Sequence, residues 1–420
     1  MSGPATATRR PGTNTPYDLA AVRADFPILA RPIYGKRLAF LDSAASAQKP
    51  QAVIDAVQRV YGEEYANVHR GLYYLSERAT NAFEDARETV ARYIAAPHAH
   101  EVIFTRNATE SLNLVAASWG RSNLGPGDEV LITELEHHAN IVPWQLLAAE
   151  KGIVLRVAPI GDDGRFLPDA FYRLIGPRTK LVSVAHVSNV LGTVLPVAAI
   201  ARAAHAAGAK VLIDGCQAIQ HMNVDVRALD CDFYVFSGHK LYGPSGIGVL
   251  WGREALLEAM PPYMGGGDMI ERVSFEGSTW AGLPHKFEAG TPAIAQAIGL
   301  AAAIRYVEGL GTEAIAAHET ALLDHLVGAL GAVPGVRLIG TAPGKVSVVS
   351  FTADFAHAFD IAAIVDREGV AVRSGHHCAQ PLMGRMGVEA TVRASLGLYS
   401  DREDVDQFVT ALEKVRRVLG

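Results

Sequence analysis

The sequence predicts an α/β protein: a large domain built on a mostly parallel sheet covered by helices, followed by a smaller C-terminal α/β domain. Two observations carry this reading. Between residues 100 and 250, short β-type runs alternate with Ala- and Leu-rich helical stretches. The runs are also nearly continuous in apolar residues, as strands buried on both faces must be. The chain is long enough for such an arrangement, with 420 residues, 49% of them hydrophobic and 20% charged; that length suits two or three domains.

Residues 1–15 are rich in Pro, Thr, Gly and Ala and lack the apolar stretch of a secretory signal, so they read as a disordered tail. Residues 16–305 are assigned to the large domain, whose N-terminal segment is expected against the small one. Its strands are expected at 101–104, 129–132, 181–185, 210–213 and 232–236, with helices at 112–119 and 296–307. Residues 306–420 form the small domain, with helices at 319–330 and 360–368 and strands at 346–351 and 370–373.

A net charge of −6 argues against a nucleic-acid partner, whose footprint would be basic. No apolar run is long enough to cross a bilayer. Three cysteines make no disulfide framework and suit a reducing cytoplasm.

The chemistry concentrates at the ends of the strand runs, where ligands bind in open α/β sheets. The run 232–236 leads into Ser237-Gly-His-Lys240. A lysine just past a strand tip can bind an aldehyde cofactor covalently if its amine is partly desolvated, with Ser237 and His239 beside it as candidate phosphate ligands. A solvated turn lysine is the plainer alternative. The run 210–213 ends at Asp214, where a carboxylate can pair with a protonated pyridine nitrogen or simply cap the next helix. The run 101–104 leads through Asn107-Ala-Thr-Glu-Ser111 into a helix, whose free N–H groups favour a phosphate. A fourth strand leads to Glu136-His-His-Ala-Asn140, where an imidazole can stack on a planar ring or move protons.

Together these segments resemble the class V group of fold-type I pyridoxal-phosphate (PLP) enzymes, and within it the SufS-type (group II) cysteine desulfurases. The resemblance runs from about Asp25 to the C-terminus. It is carried by Leu41-Asp-Ser-Ala-Ala-Ser46, Val68-His-Arg-Gly71, Glu136-His-His-Ala-Asn-Ile-Val-Pro-Trp144 and His186-Val-Ser-Asn-Val-Leu-Gly192. It continues with Phe233-Tyr-Val-Phe-Ser-Gly-His-Lys-Leu-Tyr-Gly-Pro244, Phe287-Glu-Ala-Gly-Thr-Pro292 and Arg373-Ser-Gly-His-His-Cys-Ala379. It implies a seven-stranded sheet in the large domain. It also implies that Lys240 anchors PLP, Asp214 pairs with its pyridine nitrogen, Gln217 approaches its phenolic oxygen and His137 stacks on its ring. Thr109, Ser237 and His239 hold the phosphate. Thr291 reaches the phosphate of a neighbouring subunit, which implies a homodimer. Asn189 and Arg393 bind the carboxylate of the substrate, L-cysteine.

Cys378 lies in a Gly- and Pro-bracketed loop beside two histidines. Adjacent side chains diverge and no spaced Cys or His pair completes a coordination shell, so no metal site is expected there. Polar surroundings favour an accessible thiol whose pKa nearby cations lower. Cys216 and Cys231 border apolar runs and read as buried structural residues. The resemblance implies that the Cys378 thiolate takes sulfur from L-cysteine as a persulfide and releases alanine, with His137 moving protons. It also implies onward transfer to an acceptor in iron–sulfur cluster assembly. Phe359, where some relatives have a histidine, favours a SufE-like acceptor over a zinc-containing carrier, with His357 nearby leaving the choice open. The rival activities are selenocysteine lyase and cysteine sulfinate desulfinase. A catalytically inactive assembly subunit is the non-enzymatic rival, against which Lys240, Cys378 and Arg393 are all present.

Overall fold

In a computed structural model the described residues are 17–420; the expected tail, residues 1–15, lies outside them. Seven strands form the central sheet: β1 (Val102–Thr105), β2 (Glu129–Thr133), β3 (Val154–Ala158), β4 (Thr179–Ala185), β5 (Lys210–Asp214), β6 (Phe233–Ser237) and β7 (Gly248–Gly252). Their spatial order is β1-β7-β6-β5-β4-β2-β3. All neighbours are parallel except β7, which runs antiparallel to both β1 and β6.

The sheet is buried on both faces, and strand alternation splits its side chains between two cores. Val211, Ile213, Tyr234 and Phe236 belong to one cluster, while Leu212, Phe233 and Val235 belong to the other. This explains why the central strands read as continuous apolar runs. The helix Ile294–Leu310 covers one side, packed against Tyr74–Tyr93 and Gln51–Arg59. Two strands gave no such run. β3 is an edge strand whose residues are mostly partly or fully exposed, and β7 begins and ends in glycine. Gly248 is required for close approach, since a Cβ there would lie 2.4 Å from the Cα of Asn107.

A second, antiparallel sheet is made of β8 (Val336–Ile339), β9 (Val348–Ala353), β10 (Arg373–Gly375) and β11 (Thr391–Ser395), in the order β8-β9-β11-β10. Its core includes Phe351, Val392, Leu326, Ile361 and Phe408, so the helices Thr312–Gly331, Ala358–Asp366 and Arg402–Leu419 cover it. The N-terminal segment joins this unit, with Ala39–Phe40 pairing in parallel with Val370–Ala371. The single strand expected at 370–373 is therefore two short ones with different partners: Val370–Ala371 faces the N-terminal segment and β10 faces β11. The helix expected at 112–119 begins earlier, at Ala108, because the Asn107 side chain accepts from the Glu110 N–H at 2.9 Å and caps it.

Candidate active site

Beyond the C-terminal ends of β4, β5 and β6 lies a cavity of about 260 Å³. Lys240, Asp214, Gln217, His137, Thr109, Ser237, His239, Asn189, Arg393 and Cys378 all line it. These residues are up to 284 positions apart at the extremes, Thr109 and Arg393, so only the fold assembles them. Thr291 is elsewhere, in a separate cavity beside Arg106, Glu110 and Tyr263.

Lys240 ends a single helical turn, Gly238–Lys240, directly after β6. Asp214 closes β5 and is buried. One of its oxygens accepts from the Cys216 N–H at 2.9 Å, and the other has no hydrogen-bond partner among the described residues. Gln217 donates to the Ala44 carbonyl at 2.8 Å, which fixes the orientation of its amide. Ser237 Oγ accepts from the Ala108 N–H at 2.9 Å. With the Glu110 N–H bound to Asn107, the Thr109 N–H and hydroxyl have no hydrogen-bond partner among the described residues at the helix start.

His137 Nδ1 accepts from the Ala139 N–H at 3.0 Å, so its proton sits on Nε2 when the ring is neutral. Burial, and then the nearby Lys240 ammonium, hold its pKa down at about 4. Burial likewise lowers His239 to about 4, assisted by Lys240 and Lys49. Both rings are neutral near pH 7.

The Cys378 loop comes from the small unit and is pinned to the large one. The Cys378 carbonyl accepts from the His138 N–H at 2.7 Å. The His377 carbonyl accepts from Asn189 Nδ2 at 2.7 Å, and the Gln380 N–H donates to His138 Nε2 at 2.9 Å. From the loop, His377 Nε2 pairs with Thr391 Oγ1 on β11 at 2.8 Å. Cys378 is exposed, whereas Cys216 and Cys231 are buried and burial pushes both of their thiols up. Among the described residues, no group of three or more His, Cys, Asp or Glu is placed to hold a metal ion.

Arg393 is buried on β11 and donates to the Asn189 carbonyl at 2.9 Å and to Asp42 at 3.1 Å. Its Nε and the Asn189 side-chain oxygen have no partner among the described residues, so donor and acceptor capacity remains for a ligand. Asp42 also accepts from Arg373 at 3.1 Å. Sequence reading had Asp42 and Arg373 inside quoted motifs yet assigned neither a role. Glu136 was missed in the same way: it is buried and accepts from Thr133, Asn140 and the Ala185 N–H. Burial raises its pKa to about 7 despite those donors.

The described donor set fits PLP. It offers a lysine for the aldehyde, an open carboxylate oxygen for the ring nitrogen, and a helix start with Thr109, Ser237 and His239 for the phosphate.

The aminotransferase class-V family profile matches residues 39–408. The chain belongs to this family. It is 54% identical, over 96% of its length and 98% of the relative's, to a cysteine desulfurase of Dickeya dadantii (strain 3937). To a cysteine desulfurase of Escherichia coli O127:H6 it is 51% identical, over 96% of this chain and all of the relative. Its structure resembles that of the Escherichia coli cysteine desulfurase CsdA in an S-sulfonic acid form, with a TM-score of 0.89 and 39% identity over 97% of this chain and 100% of that one. A cysteine desulfurase from Thermococcus onnurineus NA1 gives a TM-score of 0.90 at 39% identity, over 95% and 98% of the two chains. The fold-type I architecture, the PLP cofactor and the desulfurase class of enzyme expected from the sequence are borne out.

Proposed function

We propose that this PLP-dependent cysteine desulfurase moves the sulfur of L-cysteine onto Cys378 and releases L-alanine. The observation that carries the proposal is that Cys378, on a loop of the small unit, lines the same cavity as Lys240 and Asp214 of the large one. When bound, PLP supplies an electron sink for the charge left at the substrate Cα after proton loss. The residues of the chain do the rest. Lys240 anchors the cofactor, and its amine, once freed by substrate, takes the Cα proton. Asp214 keeps the pyridine nitrogen protonated. Gln217 serves the phenolic oxygen, His137 stacks on the ring, and Thr109, Ser237 and His239 hold the phosphate. Asn189 and Arg393 hold the substrate carboxylate, the planar guanidinium suiting a bidentate grip. The Cys378 thiolate attacks the substrate sulfur. The Cβ–S bond breaks, the new S–S bond makes a Cys378 persulfide, and the carbon skeleton takes up protons to become alanine. His137, its Nδ1 held by the Ala139 N–H, moves protons in these steps through Nε2.

The pinned loop supports an assignment to group II and a dedicated sulfur acceptor, because Cys378 has little freedom to carry sulfur away. We favour a SufE-like acceptor; exposed Phe359 and its neighbour His357 are the residues that bear on that choice. The reading extends to iron–sulfur cluster assembly in a reducing cytoplasm. Among the described residues, no helix is long and apolar enough to cross a membrane. A homodimer is supported by the separate placement of Thr291, which then serves the neighbour's phosphate, and by exposed Tyr61, Tyr65, Leu72, Tyr73 and Tyr74. We keep the division into domains near residue 305, with the boundary inside the helix Ile294–Leu310.

The deciding experiment measures alanine and sulfide from L-cysteine, with L-selenocysteine and L-cysteine sulfinate in parallel. Preference for L-cysteine in the presence of a thiol acceptor supports the proposal. Alanine formed from selenocysteine alone would transfer the function to selenocysteine lyase, and a colourless, inert protein would leave an assembly subunit.

A further inference from the structure

The turn that carries Cys378 has a shape its own residues do not favour. The Ala379 N–H donates to the His376 carbonyl at 2.8 Å, and the two residues between them, His377 and Cys378, both have positive φ. These are the features of a type I′ turn, whose central positions suit Gly, Asn and Asp. A histidine and a cysteine stay in that conformation only where their surroundings impose it. Asn189 and Thr391 hold His377, the first at its carbonyl and the second at its ring. Cys378 itself is held by one residue, His138. The His138 N–H donates to the Cys378 carbonyl at 2.7 Å. The ring Nε2 of His138 accepts from the Gln380 N–H at 2.9 Å, 242 positions along the chain. That N–H opens the helix Gln380–Arg385 and has no acceptor within it.

His138 is in turn fixed from behind. Glu136 accepts from Thr133, Asn140 and the Ala185 N–H. Asn140 also donates to the Ser183 carbonyl and accepts from the Trp144 indole. Between these anchors the two adjacent imidazoles take opposite tautomers. His137 accepts through Nδ1, whereas His138 accepts through Nε2 and so carries its proton on Nδ1. Burial, and then the neighbouring His376 ring at 5.6 Å, lower the His138 pKa from the ordinary 6.5, so the accepting, neutral form prevails near pH 7. One rigid segment therefore carries both the ring proposed to stack on the cofactor and the hold on the nucleophile's turn.

We infer that His138 is a positioning residue for sulfur transfer: its backbone N–H and its ring Nε2 grip the Cys378 turn on both sides of the thiol and keep it at a fixed distance from the cofactor. The inference rests on the proposed role of Cys378 as sulfur acceptor. His138 acts through the turn and is distinct from the groups that touch the reacting atoms.

The test uses the PLP-loaded protein with no thiol acceptor added, so that the first turnover of alanine reads sulfur transfer to Cys378 alone. His138→Phe keeps a ring and loses the acceptor, and the rate of that turnover falls about thirtyfold. The dissociation constant of L-alanine, followed through the cofactor absorbance, stays within about twofold of wild type. His138→Asn is slow in the same way, because its side-chain oxygen reaches only the Nδ1 position. His138→Gln places an oxygen near the Nε2 position and restores the rate to within about threefold of wild type. Amide hydrogen exchange gives a readout independent of turnover: the Gln380 amide exchanges about tenfold faster in the Phe and Asn variants than in wild type or His138→Gln. A wild-type rate in the Phe or Asn variant would overturn the inference. So would unchanged exchange at Gln380, a Gln variant as slow as the Phe one, or L-alanine binding that weakens as much as turnover slows. Cys378→Ala separates the two levels of the argument. If it forms alanine at the wild-type rate, the proposed function itself is wrong. If it is inactive while His138→Phe turns over normally, only the inference about His138 fails.

Discussion

His377 and Cys378 both adopt positive φ, 52° and 54°, a region that non-glycine side chains occupy only when their surroundings hold them there. Here the loop is held by Asn189 and His138, on the far side of the cavity. The thiol is thus presented and not merely exposed. Cys378→Ala is expected to fold and stay yellow, because the proposed cofactor ligands lie in other segments, yet to lose alanine formation from L-cysteine about 100-fold or more. Coupled alanine detection checks this, and a wild-type rate would end the persulfide mechanism. Lys240→Ala is expected to lose both colour and turnover; full activity, or borohydride trapping of the cofactor on another lysine, would refute its role. Brief treatment of the native protein with iodoacetamide is expected to label Cys378 and spare Cys216 and Cys231, whose thiols burial keeps protonated. Peptide mass mapping reads that outcome directly.

At the level of strands and loops, buried histidines tie the pieces together and make the tie acid-sensitive. His186, just beyond β4, meets the hydroxyl of Tyr234 on β6 at 3.1 Å, and burial lowers its pKa to about 4. His377 bonds Thr391 on β11, and burial, then Arg393, lower its pKa to about 3. Each pKa lies below the ordinary 6.5 of an unfolded histidine, so the unfolded chain binds more protons between that value and the folded one. Stability from these two rings is complete above pH 6.5 and is lost as pH falls towards 4 for His186 and 3 for His377, by on the order of 3 kcal/mol or more each. Glu136 has the opposite sign: its raised pKa makes the folded state bind the extra proton between 4.5 and about 7, which favours folding at the acid end. With four histidines, His137, His186, His239 and His377, against one carboxyl, the net expectation is a lower urea midpoint at pH 4.5 than at pH 7. His377→Gln is expected to flatten that slope, and an unchanged slope would remove His377 from the account.

For the whole molecule, the consequential residue is the one proposed to serve a neighbouring subunit. Thr291 lines a cavity apart from Lys240, and we have assigned it to the neighbour's phosphate. Mixing Lys240→Ala protein with Thr291→Asp protein, each inactive alone, then gives hybrids with one site carrying both defects and one carrying neither. Random exchange is expected to restore about a quarter of wild-type activity. A mixture that stays inactive after proven exchange, or a monomer with full activity, would defeat the shared site.

Much of this protein is legible in its sequence because the informative groups are local. Asp214 and Lys240 each sit within a few residues of an apolar strand, so strand end and chemistry are read together, and the buried sheet announces itself by continuous apolar runs. The Cys378 loop is marked by its own polar, Gly-bounded composition. Tertiary structure decided what no local pattern contains. It turned the edge strand β3 and the glycine-ended β7 into members of the sheet. It split residues 370–375 between two partners and brought the Cys378 loop to His138 and Asn189. It also set Asp42 between Arg373 and Arg393, across 331 and 351 residues of chain. The physical reason is range: strand and helix propensities act over a few residues, while a charge pair or a shared cavity depends on distances that exist only after the chain has closed on itself.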